Sequence, residues 1–262
     1  MKKLSIITVN LNNANGLQKT IESIVSQTFN DYEYIIIDGG STDDSISVIK
    51  KYANNIHYWE SNSDRGVYHA MNKGIFRANG EYCLFLNSGD YLLNKDVLQN
   101  IFSQNITKDL IYGNILISKK KLVKKTYPEY LRFSFFWNQS LPHPATFIKK
   151  ELFDKVGLYN ENRKIVSDWE FFLLALFQYH CTYQYIPITV SVFDMTGISS
   201  TMKTASRNEK TTVYNTYFPA FLEDCKELIY ARRRLSKIDI HKKISRGFKK
   251  LKTKISGSGN DM

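Results

Sequence analysis

Cysteine is scarce in this chain: Cys83, Cys181 and Cys225 make an odd count, widely spaced and without a Cys-x-x-Cys pair. That argues against a disulfide framework and a cysteine zinc site, and for reduced thiols in a cytoplasmic protein. Long apolar runs are missing too. The most apolar stretch, Phe171 to Phe177, falls far short of the roughly 20 residues that cross a bilayer. The opening Met1-Lys2-Lys3 precedes an apolar run that soon passes into Asn10-Leu11-Asn12-Asn13. It is too short for a signal-peptide core and has no small-residue cleavage site, so it reads as a first strand. No Gly-x-Gly-x-x-Gly follows that strand, and no Gly-x-x-x-x-Gly-Lys-Ser/Thr occurs, which counts against a dinucleotide fold and a phosphate-loop NTPase.

What is present is an apolar fraction of 43% with 13 glycines and 5 prolines in 262 residues, enough for one large domain with an appendage. The formal net charge is +11, and it is unevenly placed. From Lys203 to Met262 there are fifteen Lys/Arg against six Asp/Glu, which leaves only +2 on the other 202 residues. The main domain is nearly neutral and the tail is cationic.

The first ninety residues alternate strand and helix. Leu4–Val9, Tyr34–Ile37, His57–Trp59 and Glu81–Leu86 read as strands, with helices over Leu17–Gln27, from Ile46 to Tyr52 and over Val67–Ala78. Ser41-Thr42-Asp43-Asp44 supplies capping chemistry before the second helix. This predicts an α/β protein with a mostly parallel, doubly wound sheet and helices on both faces. Beyond Asp90 the pattern is less regular. Strands are expected over Leu110–Ser118, Leu122–Thr126, Ala145–Ile148 and Tyr183–Phe193, and helices over Glu151–Val156 and Ser167–Tyr179. In the tail, Ile240, Ile244, Phe248, Leu251 and Ile255 step at helical spacing with lysines on the other faces, a basic amphipathic helix. Domain limits follow: 1–200 for the main domain, in halves 1–90 and 91–200, and 201–262 for the basic extension.

In an open α/β sheet, ligands bind outside the carboxyl ends of the strands. Asp38, Asp64 and the run Asn87-Ser88-Gly89-Asp90 stand at those ends. Such groups accept hydrogen bonds from a base or ribose, or hold a hard divalent cation that bridges phosphates.

Several pieces in order resemble the inverting family 2 glycosyltransferases of the GT-A fold, of the type that builds bacterial surface polysaccharides such as O-antigen and capsule. They begin with Ser5-Ile6-Ile7-Thr8-Val9-Asn10 and Ile35-Ile36-Ile37-Asp38-Gly39-Gly40-Ser41-Thr42-Asp43. Asp64-Arg65-Gly66-Val67-Tyr68-His69-Ala70-Met71-Asn72-Lys73-Gly74 and the run from Gly80 to Asp90 continue the series. His143-Pro144-Ala145-Thr146-Phe147 and Ser167-Asp168-Trp169-Glu170 complete it. The resemblance implies a UDP-sugar donor and a saccharide acceptor, lipid-linked, with Mn²⁺ or Mg²⁺ as cofactor. Thr8, Val9, Asn10 and Asp38 would then contact the nucleoside, with Asp38 otherwise a turn or cap residue. Asp64 would close over the uracil or ribose, and Arg65 would approach the phosphates. Asn72, Asn87 and Ser88 would complete the nucleotide site, although Asn72 could simply shape the helix after the loop.

By the same resemblance Asp90 is the metal ligand. Where the family usually has Asp-x-Asp, this chain has an amide at the first position, so the ion would lean on the donor diphosphate and water. Asp168 is the candidate catalytic base, because an inverting transfer needs a carboxylate at the acceptor hydroxyl. A plain helix cap is the alternative for Asp168, and Glu170 is the fallback base. His143 could touch acceptor or phosphate or be a structural loop residue. Trp137 and Phe136 could stack on sugar rings or belong to the core. Asp194 to Ser200 could close on the diphosphate.

Two other functions compete. A nucleotidyltransferase would want Arg or Lys in the loop after strand one, and Asn10–Gly16 has neither. A nucleic-acid module would use the basic tail, but the tail lacks interleaved aromatics apart from Phe248. Its apolar stripe suits an anionic membrane surface, or packing on its own domain. Localisation is therefore expected to be cytoplasmic, with peripheral attachment to the inner face of the membrane.

Overall fold

The computed structural model describes residues 1–118, 121–195, 202–224, 226–228 and 230–235. The basic helix expected from Ile240 to Ile255, and most of the Asp194–Ser200 segment, lie outside the described residues. The chain divides into two compact units, Met1–Lys210 and Thr211–Met262.

In the first unit, β1 (Leu4–Asn10) is buried at every position. Its β-branched residues suit a strand covered on both faces. α1 (Ala14–Val25) starts at Asn13, whose side chain accepts the Gly16 N–H, and buries Leu17, Ile21 and Ile24. β2 (Tyr32–Asp38), α2 (Ser45–Lys51), β3 (Tyr58–Ser61), α3 (Val67–Arg77) and β4 (Tyr82–Phe85) follow. Asp44 occupies the cap position of α2 without a side-chain cap bond. Asp43 instead accepts the Ser45 N–H at 3.0 Å and the Ala14 N–H at 2.9 Å, tying the starts of two helices together.

The remaining elements are β5 (Tyr91–Leu92), α4 (Val97–Phe102), β6 (Leu110–Ser118), β7 (Leu122–Lys125), α5 (Phe133–Phe136), β8 (Thr146–Lys149), α6 (Glu151–Val156), α7 (Ser167–Phe177), β9 (Tyr183–Asp194) and α8 (Lys203–Tyr217). A turn of 3-10 helix, His143–Ala145, leads into β8. Among the described residues nine strands form one sheet in the order β3-β2-β1-β4-β8-β6-β9-β5, with β7 paired to β6.

The expected parallel sheet is the first half of this one: β2 and β4 flank β1 in parallel, and β3 runs parallel to β2. From β4 onward the sheet is mixed. β8 is antiparallel to both β4 and β6, β9 is parallel to β6, and β5 and β7 are antiparallel to their partners. The chain order explains the site. It steps outward from β1 to β2 and β3, then crosses back to β4 on the other side of β1, so the order in which strands are added reverses between β1 and β4. A crevice opens outside the strand ends at such a switch.

In the second unit the described residues 211–217, 219–224, 226–228 and 230–235 are helical, with a break at Phe218 before Pro219. Phe221, Leu228, Tyr230 and Leu235 are exposed there. No helix among the described residues is long and apolar enough to cross a membrane.

Candidate active site

A cavity of about 440 Å³ opens at the β1/β4 switch, lined by residues from β1, α3, the loop after β4, the His143 turn, the start of α7 with its approach, and the end of β9. The β4 end builds one wall. The Leu86 N–H donates to the Ile7 carbonyl at 2.9 Å and the Ser88 N–H to the Val9 carbonyl at 3.1 Å, so the Asn87–Asp90 loop continues the β1 ladder. Thr20 of α1 locks the loop: its hydroxyl donates to the Asp90 carbonyl at 2.6 Å and accepts the Gly89 N–H at 3.0 Å.

Gly89 has φ +106°, and a Cβ there would meet an Asp194 carboxylate oxygen at 3.0 Å. Glycine therefore allows both the turn and the close approach of Asp194. Asp90 accepts the Asp194 N–H at 2.8 Å. Burial pushes the Asp90 carboxyl up to about 8; the Asp194 N–H pulls it down and the Asp194 carboxylate pushes it up again. A buried carboxyl beside a second carboxylate is a place that a hard cation would stabilise.

The opposite wall is the start of α7. Asp168 lies in its first turn, one residue beyond Ser167, and the cap position belongs to Val166. Asp168 is thus not a helix cap. The single hydroxyl proton of Tyr68 in α3 is shared between the Ile165 carbonyl at 2.7 Å and Asp168 Oδ1 at 3.0 Å. Burial first, and Asp168 second, push the Tyr68 phenol well above its usual range, so it stays a donor. His143 stacks on Phe85 with ring centres 4.8 Å apart and shares a 2.9 Å hydrogen bond with the Tyr159 hydroxyl. Burial lowers its pKa against the opposing pull of Asp168, which keeps the imidazole neutral.

At a third corner Gly39 lets Asp64 and Leu11 approach closely. A Cβ on Gly39 would come within 2.6 Å of an Asp64 carboxylate oxygen and 3.4 Å of a Leu11 methyl. Asp64 also accepts the Gly66 N–H at 2.8 Å, which fixes the loop before α3. Asn10 Oδ1 and Asn87 Oδ1 are buried and have no hydrogen-bond partner among the described residues.

Val9, Asn10, Asp64, Asn87, Ser88, Asp90, His143 and Asp168 therefore share one cavity. Seven other expected residues do not line it, among them Phe136, which is fully buried in the core. Thr8 is fully buried and donates to the Leu86 carbonyl at 2.8 Å. Asp38 is saturated by its own turn, accepting from Asn10 Nδ2, the Gly40 and Ser41 N–H groups, and the Ser41 and Ser61 hydroxyls. Burial alone would raise its pKa, and those donors together bring it below the ordinary value. Arg65 points outward into an ion pair with Glu161 at 2.5 Å, its side chain 71% exposed. Asn72 is buried and exchanges hydrogen bonds with the backbone of Tyr159, stitching α3 to that loop. Glu170, 3% exposed and two residues beyond Asp168, is engaged by Arg163 Nε at 2.8 Å. Trp137 follows α5, whose Phe133 and Phe136 pack on Phe177 of α7.

Leu11, Asn13, Tyr68, Lys164 and Asp194 also line the cavity. Tyr68 lies inside one of the motifs, and Asp194 opens the segment expected to close on the diphosphate; Lys164 carries no local signal, because the α7 approach reaches the site only through long-range packing.

Four carboxylates (Asp64, Asp90, Asp168, Asp194) and one lysine, Lys164, face this cavity among the described residues. No group of three or more His, Cys, Asp or Glu side chains that could hold a metal occurs among them. The donor set fits a cation held by Asp90, with Asp194 beside it, that takes its other ligands from a bound phosphate ligand.

The fold and the crevice define a GT-A-type glycosyltransferase. Residues 5–157 match the family described as glycosyl transferase family 2, and the chain belongs to that family. Among its relatives, a PGL/p-HBAD biosynthesis glycosyltransferase of Mycobacterium bovis is 29% identical over 205 residues, 76% of this chain and 79% of that protein. An uncharacterized glycosyltransferase of Mycobacterium tuberculosis is 32% identical over 203 residues, 75% of this chain and 77% of that protein. S. aureus TarS in complex with UDP-GlcNAc has the same fold, with a TM-score of 0.62 at 20% identity over 74% of this chain and 58% of that chain. The mannosyltransferase PcManGT from Pyrobaculum calidifontis, in complex with GDP-Man and Mn²⁺, gives 0.57 at 17% identity over 73% of this chain and 56% of that one. This chain thus spans less than two thirds of each of those solved chains. Membership of the family decides for glycosyl transfer over nucleotidyl transfer.

Proposed function

We propose that this glycosyltransferase moves a sugar from a UDP-sugar to a hydroxyl of a saccharide acceptor with inversion at the anomeric carbon. The observation that carries the reading is the shared cavity: Asp90 and Asp194 on the switch-point wall, Asp168 on the wall formed by α7. The nucleoside would lie along Val9, Asn10 and Leu11 against Asp64, with the unpartnered amide oxygens of Asn10 and Asn87 free to accept from it. Tyr68 orients the Asp168 carboxylate, which takes the proton of the acceptor hydroxyl as that oxygen bonds to the anomeric carbon and the bond to the diphosphate breaks. Neutral His143 shapes the wall beside it without adding charge.

A Mn²⁺ or Mg²⁺ ion held by Asp90 and Asp194 would offset the negative charge that develops on the leaving UDP. The charge of the cavity supports the ion. A diphosphate entering beside these aspartates meets net repulsion that one lysine does not cancel, even while the Asp90 carboxyl is protonated, unless a cation accompanies it. The complexes of TarS with UDP-GlcNAc and of PcManGT with GDP-Man and Mn²⁺ support a nucleotide-sugar donor and a metal. The acceptor we favour is lipid-linked and belongs to the assembly of a surface polysaccharide of the O-antigen or capsule kind. The cationic tail supports a membrane-borne acceptor. In that setting the tail would rest on the anionic inner face of the cytoplasmic membrane.

A donor screen with UDP- and GDP-sugars and Mn²⁺, read as release of the nucleoside diphosphate, tests the activity. Turnover is expected with a UDP-sugar and lost with EDTA. Anomeric NMR of the product tests inversion, and a retained configuration contradicts it.

A further inference from the structure

The wall that carries Asp168 is fastened by a carboxylate outside the cavity. Glu209, in the part of α8 that belongs to the first unit, accepts the N–H of Lys164 at 2.8 Å through Oε1, and those of Ile165 at 3.1 Å and Val166 at 3.2 Å through Oε2. These three amides lead directly into α7, whose cap residue Val166 makes no side-chain cap bond. A carboxylate there satisfies donors that the helix cannot, and its charge matches the positive end of the helix dipole.

Tyr68 grips the same segment from the other side, through the Ile165 carbonyl and Asp168 Oδ1. The Ile165 backbone is therefore held through both its N–H and its carbonyl, by α8 and by α3. Lys210, the next residue of α8, places its ammonium 4.7 Å from the ring centre of Trp169, the neighbour of Asp168. Lys164, Ile165 and Asp168 all line the cavity, and Glu209 does not.

We propose that Glu209 is a positioning residue for sugar transfer: by anchoring the amides of Lys164, Ile165 and Val166 it fixes Asp168 at the acceptor hydroxyl. The proposal rests on Asp168 being the base. It lies outside residues 5–157, the part that matches the family, and it makes the start of α8 part of the catalytic apparatus. A base displaced by about 1 Å can cost on the order of 10²-fold in rate.

The test uses the full chain and a UDP-sugar that the wild type turns over. Glu209→Ala is expected to lower kcat about 10- to 100-fold while donor KM and calorimetric UDP–Mn²⁺ affinity stay within about twofold. Glu209→Gln, which keeps one acceptor oxygen, is expected to recover several-fold over the alanine variant. Hydrogen exchange at the amides of Lys164, Ile165 and Val166 is expected to quicken in Glu209→Ala, with the interior of α7 unchanged. Wild-type kcat in Glu209→Ala would overturn the proposal, as would a glutamine variant no better than alanine. Equal losses of kcat and UDP affinity would also overturn it. Should the alanine variant fail to fold, kcat and exchange in Glu209→Gln carry the same comparison. Full transfer by Asp168→Asn would remove the base reading itself and is scored separately, because the exchange result does not depend on it.

Discussion

Asp90 holds a carboxyl where solvent scarcely reaches it, 6% exposed and next to Asp194. Its folded pKa is raised to about 8 by burial, so its contribution to stability is whole below the unfolded value near pH 4 and is lost as pH rises through about 8. The metal-free protein should therefore lose thermal stability between pH 5 and pH 8.5, and Asp90→Asn should flatten that slope. Equal slopes in the two proteins would contradict the assignment. The same variant should lose the Mn²⁺-dependent part of UDP binding, measured by calorimetry with and without metal. At this scale the motifs identified which residue types gather at the strand ends, but not which of them face a ligand. Asp38 and Asn72 sit inside the quoted motifs and spend their hydrogen-bonding capacity on the backbone and side chains around them. Which of two neighbouring polar groups is satisfied internally depends on contacts made many residues away, and spacing carries no record of those.

Between elements, α3 packs closely on the parallel strands. A Cβ at Gly74 would lie 2.5 Å from a methyl of Ile7 in β1, a residue with no exposure. Alanine would gain about 1 kcal/mol of helix propensity, against an overpacking cost of about 1–3 kcal/mol in a filled core. With a stiff β-branched neighbour the clash should win, so Gly74→Ala is expected to lower the urea midpoint. A midpoint at or above wild type would show that the helix can slide. The first half of the sheet was legible as elements because each strand is a short β-rich run and each helix shows its own apolar face. β6 at Leu110–Ser118 and α6 at Glu151–Val156 fall where the residues alone put them. The order of the second half was not legible. Nothing local in Thr146–Lys149 says that it inserts antiparallel between β4 and β6, since register across a sheet is fixed by partners far apart in sequence. That insertion carries His143 to the cavity and, with β9 beside β6, brings Asp194 to Asp90.

On the scale of the molecule, a nearly neutral catalytic unit is joined to a cationic extension, fifteen Lys/Arg against six Asp/Glu from Lys203 onward. If that extension meets an anionic membrane, the full chain should co-sediment with vesicles containing anionic lipid in a salt-sensitive way, and a version ending at Arg234 should do so less. Equal binding by both would exclude the tail as the contact. Such an attachment would bring the cavity to a lipid-borne acceptor, but chemistry inside the cavity does not depend on it. The central claim concerns that chemistry, and it is tested most directly by following UDP release and product formation with a UDP-sugar and Mn²⁺ in wild type and Asp168→Asn. Turnover by the wild type is expected, with a loss of about 10²–10⁴-fold in the variant and the same UDP affinity in the two proteins. Wild-type transfer by Asp168→Asn, or no turnover and no UDP binding by the wild type, would contradict that claim.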